Sequence, residues 1–251
     1  MKSFARWSLL GSGLGLMFLT AAPSFATVVG NLFTGGTSSV TVTATSITFD
    51  ETGGVSTDVG VGTTMTSSDG ALMTGQPIDI AGGTPITAAS IPLADFMTFP
   101  DSPSLNVTLD AFGPGSANTN CAGLTTGQSC SPLIDGFASP IILTYTGTGV
   151  EGTSTGSEGT SALLSVSGTA TDASKVISTF TGHFSASLAT FTPEQLVTLF
   201  ATPGQKFSTT YAGNFVATPP STVPEPRTIS VVAIAGLLMG LVVARRRKSV
   251  A

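Results

Sequence analysis

Residues 27–218 read as a single mainly β domain, a β-sandwich or jelly-roll-like fold with one short helix at about 193–201, and three observations predict it. Apolar and polar residues alternate over several runs of strand length, as a half-buried pleated surface requires. Charged residues make up only 9% of a chain of 251 residues that holds 30 Gly. Exposed polarity therefore falls to Thr, Ser and Asn, and Thr favours pleated surface while Gly favours tight turns. Only one stretch carries a helix start. Many short strands without a fixed internal repeat favour a sandwich over a β-solenoid, and about 190 residues are enough to bury a core as one domain.

Taken in order, Val40, Val42 and Ala44 alternate with Thr41, Thr43 and Thr45. The apolar phase then slips by one to Ile47 and Phe49, as a strand does across a bulge or a change of face. Asp50, Glu51 and the glycines at 53 and 54 end that run. Residues 55–83, rich in Gly, Thr and Asp, predict loops with short strands. Leu105, Val107, Leu109 and Ala111 alternate with Asn106, Thr108 and Asp110 as a half-buried strand. Residues 141–145 predict a buried strand and 147–159 a low-complexity turn. Ala162, Leu164 and Val166 resume the alternation until Gly168 interrupts it.

The last third of the domain is the most legible. Phe180, Phe184, Ala186 and Leu188 share one face of a strand, and Thr179, Thr181, His183, Ser185 and Ser187 share the other. Thr192 as N-cap, Pro193 at the first helical position, Gln195 three residues after the cap and Phe191 placed to staple Leu196 spell out a helix start. Two or so turns follow, stopped at 202–204. Phe207, Thr209, Tyr211, Phe215 and Ala217 fall on every second position, which predicts one closing strand leading into a Pro-rich linker at 219–227.

Both ends of the chain carry export signals. Lys2 and Arg6 precede an uncharged, mostly apolar stretch at 7–19, and small residues end at Ala26. This is the pattern of a secretory signal peptide over 1–26, cleaved between Ala26 and Thr27. At the other end, residues 228–244 hold no charge and are just long enough, at about 1.5 Å per residue, for a transmembrane helix. Arg245, Arg246, Arg247 and Lys248 follow at once in the tail 245–251. A basic cluster beside a membrane segment stays in the cytoplasm, so the preceding domain lies outside. Pro224 and Pro226 disfavour helix, so Val223, Pro224, Glu225 and Pro226 stand clear of the membrane as an exposed handle.

This order of Val-Pro-Glu-Pro, one short apolar span and a terminal Arg-rich cluster resembles the PEP-CTERM sorting signal of exopolysaccharide-producing Gram-negative bacteria. The resemblance covers residues 223–248 only. It implies that an exosortase-like membrane enzyme reads the motif and removes the tail, and that the precursor sits in the inner membrane with a periplasmic domain before reaching the cell surface or the medium. The simpler reading is a plain C-terminal anchor, which needs no Pro-Glu-Pro.

Within residues 27–218, Lys175 and Lys206 are the only cations against 13 of the chain's 14 acids, which leaves the domain 11 charges negative. Such a surface repels nucleic acid and anionic membranes alike. Cys121 and Cys130 read as a disulfide closing a surface loop in an oxidising compartment; the spacing is not C-x-x-C, and with one His in the chain soft metal ligands are too few. No cofactor or metal is expected. His183 reads as a surface residue on a polar strand face. Residues 152–156 formally match G-x-S-x-G, but no helix follows as a nucleophile elbow requires. Asp50, Glu51 and Asp58 around a Gly pair are the nearest approach to a calcium loop and are read as a solvated acidic turn.

Two functions remain open. The first is a non-enzymatic surface or matrix protein, structural or adhesive, associated with exopolysaccharide and sorted by its tail. The alternative is a secreted hydrolase or carbohydrate-binding protein using acids such as Asp95, Asp101 or Asp135. Sugar platforms favour broad aromatic faces, and the only Trp is Trp7, inside the signal peptide.

Overall fold

The computed structural model describes residues 27–35, 39–43, 45–50, 57–134, 136–153, 157–202 and 204–220. The expected signal peptide, sorting motif, membrane helix and basic tail lie outside the described residues. Within them no helix is long and apolar enough to cross a membrane.

The strands are β1 (Gly30–Gly35), β2 (Ser39–Val42), β3 (Ile47–Asp50), β4 (Thr57–Val59), β5 (Thr66–Ser67), β6 (Gly70–Ala71), β7 (Pro77–Ile80), β8 (Leu93–Thr98) and β9 (Asn106–Phe112). They continue with β10 (Ser129–Cys130), β11 (Leu133–Ile134), β12 (Phe137–Ala138), β13 (Ile141–Tyr145), β14 (Thr160–Thr171) and β15 (Ser178–Leu188). Helix α1 (Pro193–Ala201), β16 (Phe207–Thr210) and β17 (Ala212–Thr218) complete the domain. The domain is mainly β, as its composition and alternation predict, and α1 is the one α-helix among the described residues.

The expected sandwich is corrected to a barrel. Two long strands, β14 with 12 residues and β15 with 11, form its spine. Hydrogen-bonded neighbours run β14, β15, β17, β1, β4, β7, β8, β9, and β9 pairs back onto β14, so eight antiparallel strands close on themselves. Taken in chain order, each of those strands pairs with the next, an up-and-down meander sealed by β17 on β1 from Gly30↔Ala217 to Thr34↔Gly213, and β13 adds to the free half of β14. Short alternating strands satisfy a sandwich and a barrel equally. What decides is pairing between distant residues, and closure leaves no unpaired edge in the ring.

Consecutive antiparallel strands place their connections at alternate ends, and this sorts the insertions. The segments carrying β2 and β3, residues 81–92, residues 113–159 and the segment with α1 and β16 all fall at one end, here called the crown. Residues 60–76, 99–105 and 172–177, with both ends of the domain, fall at the base. Contacts between connections agree. At the crown, β16 pairs with β2, β2 pairs with β3, and Ile47 bridges to Ile86. At the base, Ser68 N donates to Asp172 Oδ2 at 2.6 Å and Ser104 N to Asp69 Oδ2 at 3.0 Å.

The barrel interior is packed rather than hollow. Leu32, Ile78, Ile80, Phe96, Val107, Leu109, Phe180 and Phe215 are all buried. Phe180 and Phe215 stack with ring centroids 5.1 Å apart, and Phe184 meets Phe215 edge-on at 4.9 Å. Room for the Phe215 ring comes from Gly182 across the ladder and Gly213 two positions along its own strand: a Cβ on either would run into that ring. Phe180, Phe184 and Leu188 are buried on one face of β15, while Thr179, Thr181 and Ser187 on the other are exposed. The period-2 reading of this strand is thus what the fold uses.

Two other strand expectations change. The phase slip between Ala44 and Ile47 is not a bulge; the chain reverses there, and β2 and β3 form a hairpin from Ser39↔Asp50 to Val42↔Ile47. The single closing strand is two: β16 belongs to the three-stranded β16-β2-β3 sheet and β17 to the barrel. Residues 141–145 are buried on one face rather than throughout, with Leu143 and Tyr145 buried and Ile141, Ile142 and Thr144 half-buried. The expected interruption at Gly168 is not found in β14 itself, which runs on to Thr171 with alternate residues buried through Gly168 and Ala170; only the pairing with β9 is disturbed. β9 shifts register between Ser167 and Gly168, where a Cβ would collide with the Thr108 carbonyl.

Candidate functional site

The crown holds an apolar cavity where the insertions converge. Its floor is β13, β14 and β15, contributing Ile141, Leu143, Ala162, Leu164, Phe184, Ala186 and Leu188; its roof is the small sheet, contributing Val40, Val42, Ile47, Phe49, Phe207 and Thr209; Phe200 of α1 and Tyr211 close its sides. The volume is about 60 Å³. Alternation builds both walls. Val40 and Val42 on β2, Ile47 and Phe49 on β3 and Phe207 and Thr209 on β16 each recur every second residue, so the sheet turns one apolar face downward.

Rings frame the inner end. Phe49 lies 4.7 Å from Phe184, 5.1 Å from Tyr211 and 6.4 Å from Phe96, measured between centroids. Phe49 therefore plugs the barrel mouth and separates the crown cavity from the barrel core. Burial pushes the Tyr211 phenol well above its ordinary value, helped by the charge of Asp50 and opposed by a hydrogen bond with Thr57. The hydroxyl stays protonated at any physiological pH.

The outer end rests on a second apolar cluster, in which Cys121, Leu124, Cys130, Leu143, Tyr145, Leu188, Leu196 and Phe200 are buried together. Helix α1 is fixed here by its cap: Gln195 N donates to Thr192 Oγ1 at 3.3 Å, and Thr192 N donates to Gln195 Oε1 at 3.0 Å. Phe191 packs against this cluster, of which Leu196 is a member, and its ring lies 5.4 Å from that of Phe207. The buried carboxylate of Glu151 accepts from Glu194 N at 2.8 Å and from Leu124 N at 3.3 Å. An acidic group at a helix N-terminus satisfies free amides and meets the positive end of the helix dipole. Glu151 thereby ties the 113–159 insertion to α1. Tyr145, also buried, donates its hydroxyl to Glu158 Oε2 at 2.6 Å.

Cys121 and Cys130 stand at disulfide distance, with Cα atoms 5.3 Å apart. Both are buried in the second cluster, and the loop they close is at the surface as expected, with Ala122, Gly123, Thr125, Thr126, Gly127 and Gln128 exposed. Asp50 accepts from Ser39 Oγ at 3.0 Å and Thr41 Oγ1 at 2.7 Å, so its carboxylate serves the β2–β3 hairpin. Glu51 and Gly53 lie outside the described residues, as do Ser154 of the G-x-S-x-G match and Asp135. Asp95 takes a hydrogen bond from Asn106, and Asp101 is exposed. His183, half-buried on the outer face of β15, faces Ser165 and Asn214 on neighbouring strands. Among the described residues no three His, Cys, Asp or Glu gather as metal ligands. Ala26, Val223, Pro224, Glu225, Pro226, Arg245, Arg246, Arg247 and Lys248 lie outside the described residues, and Thr27 opens them.

A second buried acid lies at the base. Asp172 is buried and accepts from Ser68 N, Ser174 N at 2.9 Å and Ser174 Oγ at 2.6 Å. Burial alone would raise its pKa, but the donors from Ser174 and Ser68 outweigh burial and hold the carboxyl below its ordinary value. This is a structural clasp joining two base loops. Sequence reading missed both Glu151 and Asp172, each inside a stretch of turn composition. An acid isolated among Gly, Ser and Thr is the one signal they offer.

No family model, no curated protein and no solved structure matches this chain.

Proposed function

We propose that this chain is an exported β-barrel protein, delivered through a C-terminal sorting signal and displayed at the cell surface or in the extracellular matrix, with a non-enzymatic structural or adhesive role alongside exopolysaccharide. One observation carries the reading: the pairing of Gly30 with Ala217 brings both ends of the barrel to the base, and the connections that carry the small sheet, β10 to β13 and α1 lie at the opposite end. A tether leaving after residue 218 then holds the barrel by its base. The crown, with its sheet, helix and loops, points away from the attachment.

The packed interior supports a scaffold over a ligand-carrying barrel, because an eight-stranded ring is just wide enough for side chains to fill. The buried acids work in the fold: Glu151 anchors a helix and Asp172 a loop clasp. The Val-Pro-Glu-Pro handle, apolar span and basic cluster supply the delivery route, with an exosortase-like enzyme as partner and the membrane engaged at least until the tail is removed.

Glu225→Ala separates a sorting signal from a plain anchor, because it removes one charge from the handle and leaves the apolar span and its basic flank intact. Cells expressing the wild type and the variant, each with a tag near residue 27, are fractionated. Sorting predicts a shortened wild-type product outside the inner membrane and a full-length, membrane-retained variant. Identical full-length inner-membrane products for both would reduce the tail to an anchor.

A further inference from the structure

Size, lining and surrounding charge set the crown cavity apart from a small packing defect. At about 60 Å³ it has room for roughly four to six water-sized spheres, at 10–15 Å³ each. Water gains nothing there, because a buried water needs two to four polar partners, and the walls are almost wholly apolar, from Val40, Ile47, Phe49, Leu143, Phe184 and Phe207. The space has barrel strands β14 and β15 with β13 below it, the small sheet above and Phe200 of α1 at the side, so no single element fills it. Ile141, Ala162, Ala186 and Phe207, half-buried, mark its rim.

We infer that this cavity binds the straight hydrocarbon chain of a small amphiphile with an uncharged polar end, admitting about six carbons. A linear chain suits a slot between two sheets, and a domain 11 charges negative, with two cations against 13 acids, disfavours an anionic headgroup at the rim. The inference does not depend on the sorting signal or on an adhesive role.

The test uses the full chain in lipid nanodiscs and a 1-octanol carrying a diazirine at its tail, with photo-crosslinks mapped by mass spectrometry. Labelling is expected within residues 40–49 and 200–211. Unlabelled 1-alkanols from butanol to decanol compete, gaining about fourfold in affinity per added methylene and levelling off once about six carbons are inside. Octanoate competes less well than octanol at low salt. Ala162→Leu with Ala186→Leu fills the space and cuts labelling at these residues at least tenfold while the thermal midpoint holds or rises.

Each contrary result is decisive. Labelling spread over the surface, a gain that continues unbroken to decanol, or undiminished labelling of a filled and folded variant would overturn the site. Octanoate binding more tightly than octanol would overturn the uncharged headgroup. Should the filled variant melt early, the competition series on the wild type decides alone, because a slot of limited depth produces a plateau that an open surface does not.

Discussion

Phe215 owes its place to two residues without side chains. Gly182 faces it directly across the β15–β17 ladder, and Gly213 lies two positions along its own strand. A Cβ at either position meets the ring, and at Gly182 it also meets the Asn214 carbonyl. A flexible neighbour would swing aside, but this ring is held by Phe180 and Phe184. Gly182→Ala is therefore expected to destabilise the domain by about 1–3 kcal/mol, as overpacking of a tight core does, read as a lower urea midpoint. An unchanged midpoint would mean that the stack yields. Asp172 makes the opposite kind of demand. Its carboxyl titrates below the ordinary 3.8 when folded. The stability it contributes is present above that value and is lost as pH falls through the lower folded pKa. Melting temperature should drop on acidification below about pH 4, and Asp172→Asn should lose stability at neutral pH and show a shallower acid slope.

Among the elements, α1 depends most on others. Nine residues make a marginal helix alone, so its cap, its Glu151 partner and the burial of Leu196 and Phe200 have to supply its order. Glu151→Ala leaves the Glu194 and Leu124 amides without their acceptor, at a cost of about 1–3 kcal/mol. Limited proteolysis should then open the 193–201 region before the barrel unfolds. The disulfide belongs to the same lobe. Cys121→Ser with Cys130→Ser should cost about 2–3 kcal/mol by loop-closure entropy for a ring this small. The same substitutions put two hydroxyls into an apolar cluster, so the loss should sit at or above that range; a smaller one would show that the lobe is held by α1 and Glu151 alone.

On the scale of the whole molecule, closure is the controlling event. β1 comes from the first few residues of the domain and β17 from its last, so their ladder forms only when the chain has brought its ends together. Deleting 212–218 should leave β1 and β15 with open edges and turn a cooperative transition into aggregation. The measurement is size exclusion of the truncated protein against the full chain, and a monodisperse truncated form would show that closure is dispensable. Far-UV circular dichroism of residues 27–218 should give a β spectrum.

Much of this was legible in the order of residues. The faces of β15, the alternation of β9 up to Leu109, the α1 cap and the mainly β character all follow from local rules, because side-chain direction in a strand and amide capping in a helix are set within a few residues. Alternation stops being informative where the chain turns or changes sheet. The slip between Ala44 and Ile47 fits a bulge and a hairpin alike, and Phe207 and Phe215 share one period while lying in different sheets. Barrel against sandwich was undetermined for the same reason. It rests on β9 meeting β14 and β17 meeting β1, pairings between residues far apart in the chain whose register no local pattern encodes. The crown cavity is the clearest case. Val40, Phe184 and Phe207 are ordinary strand residues in the sequence, and only the tertiary structure brings their faces together around one apolar cavity.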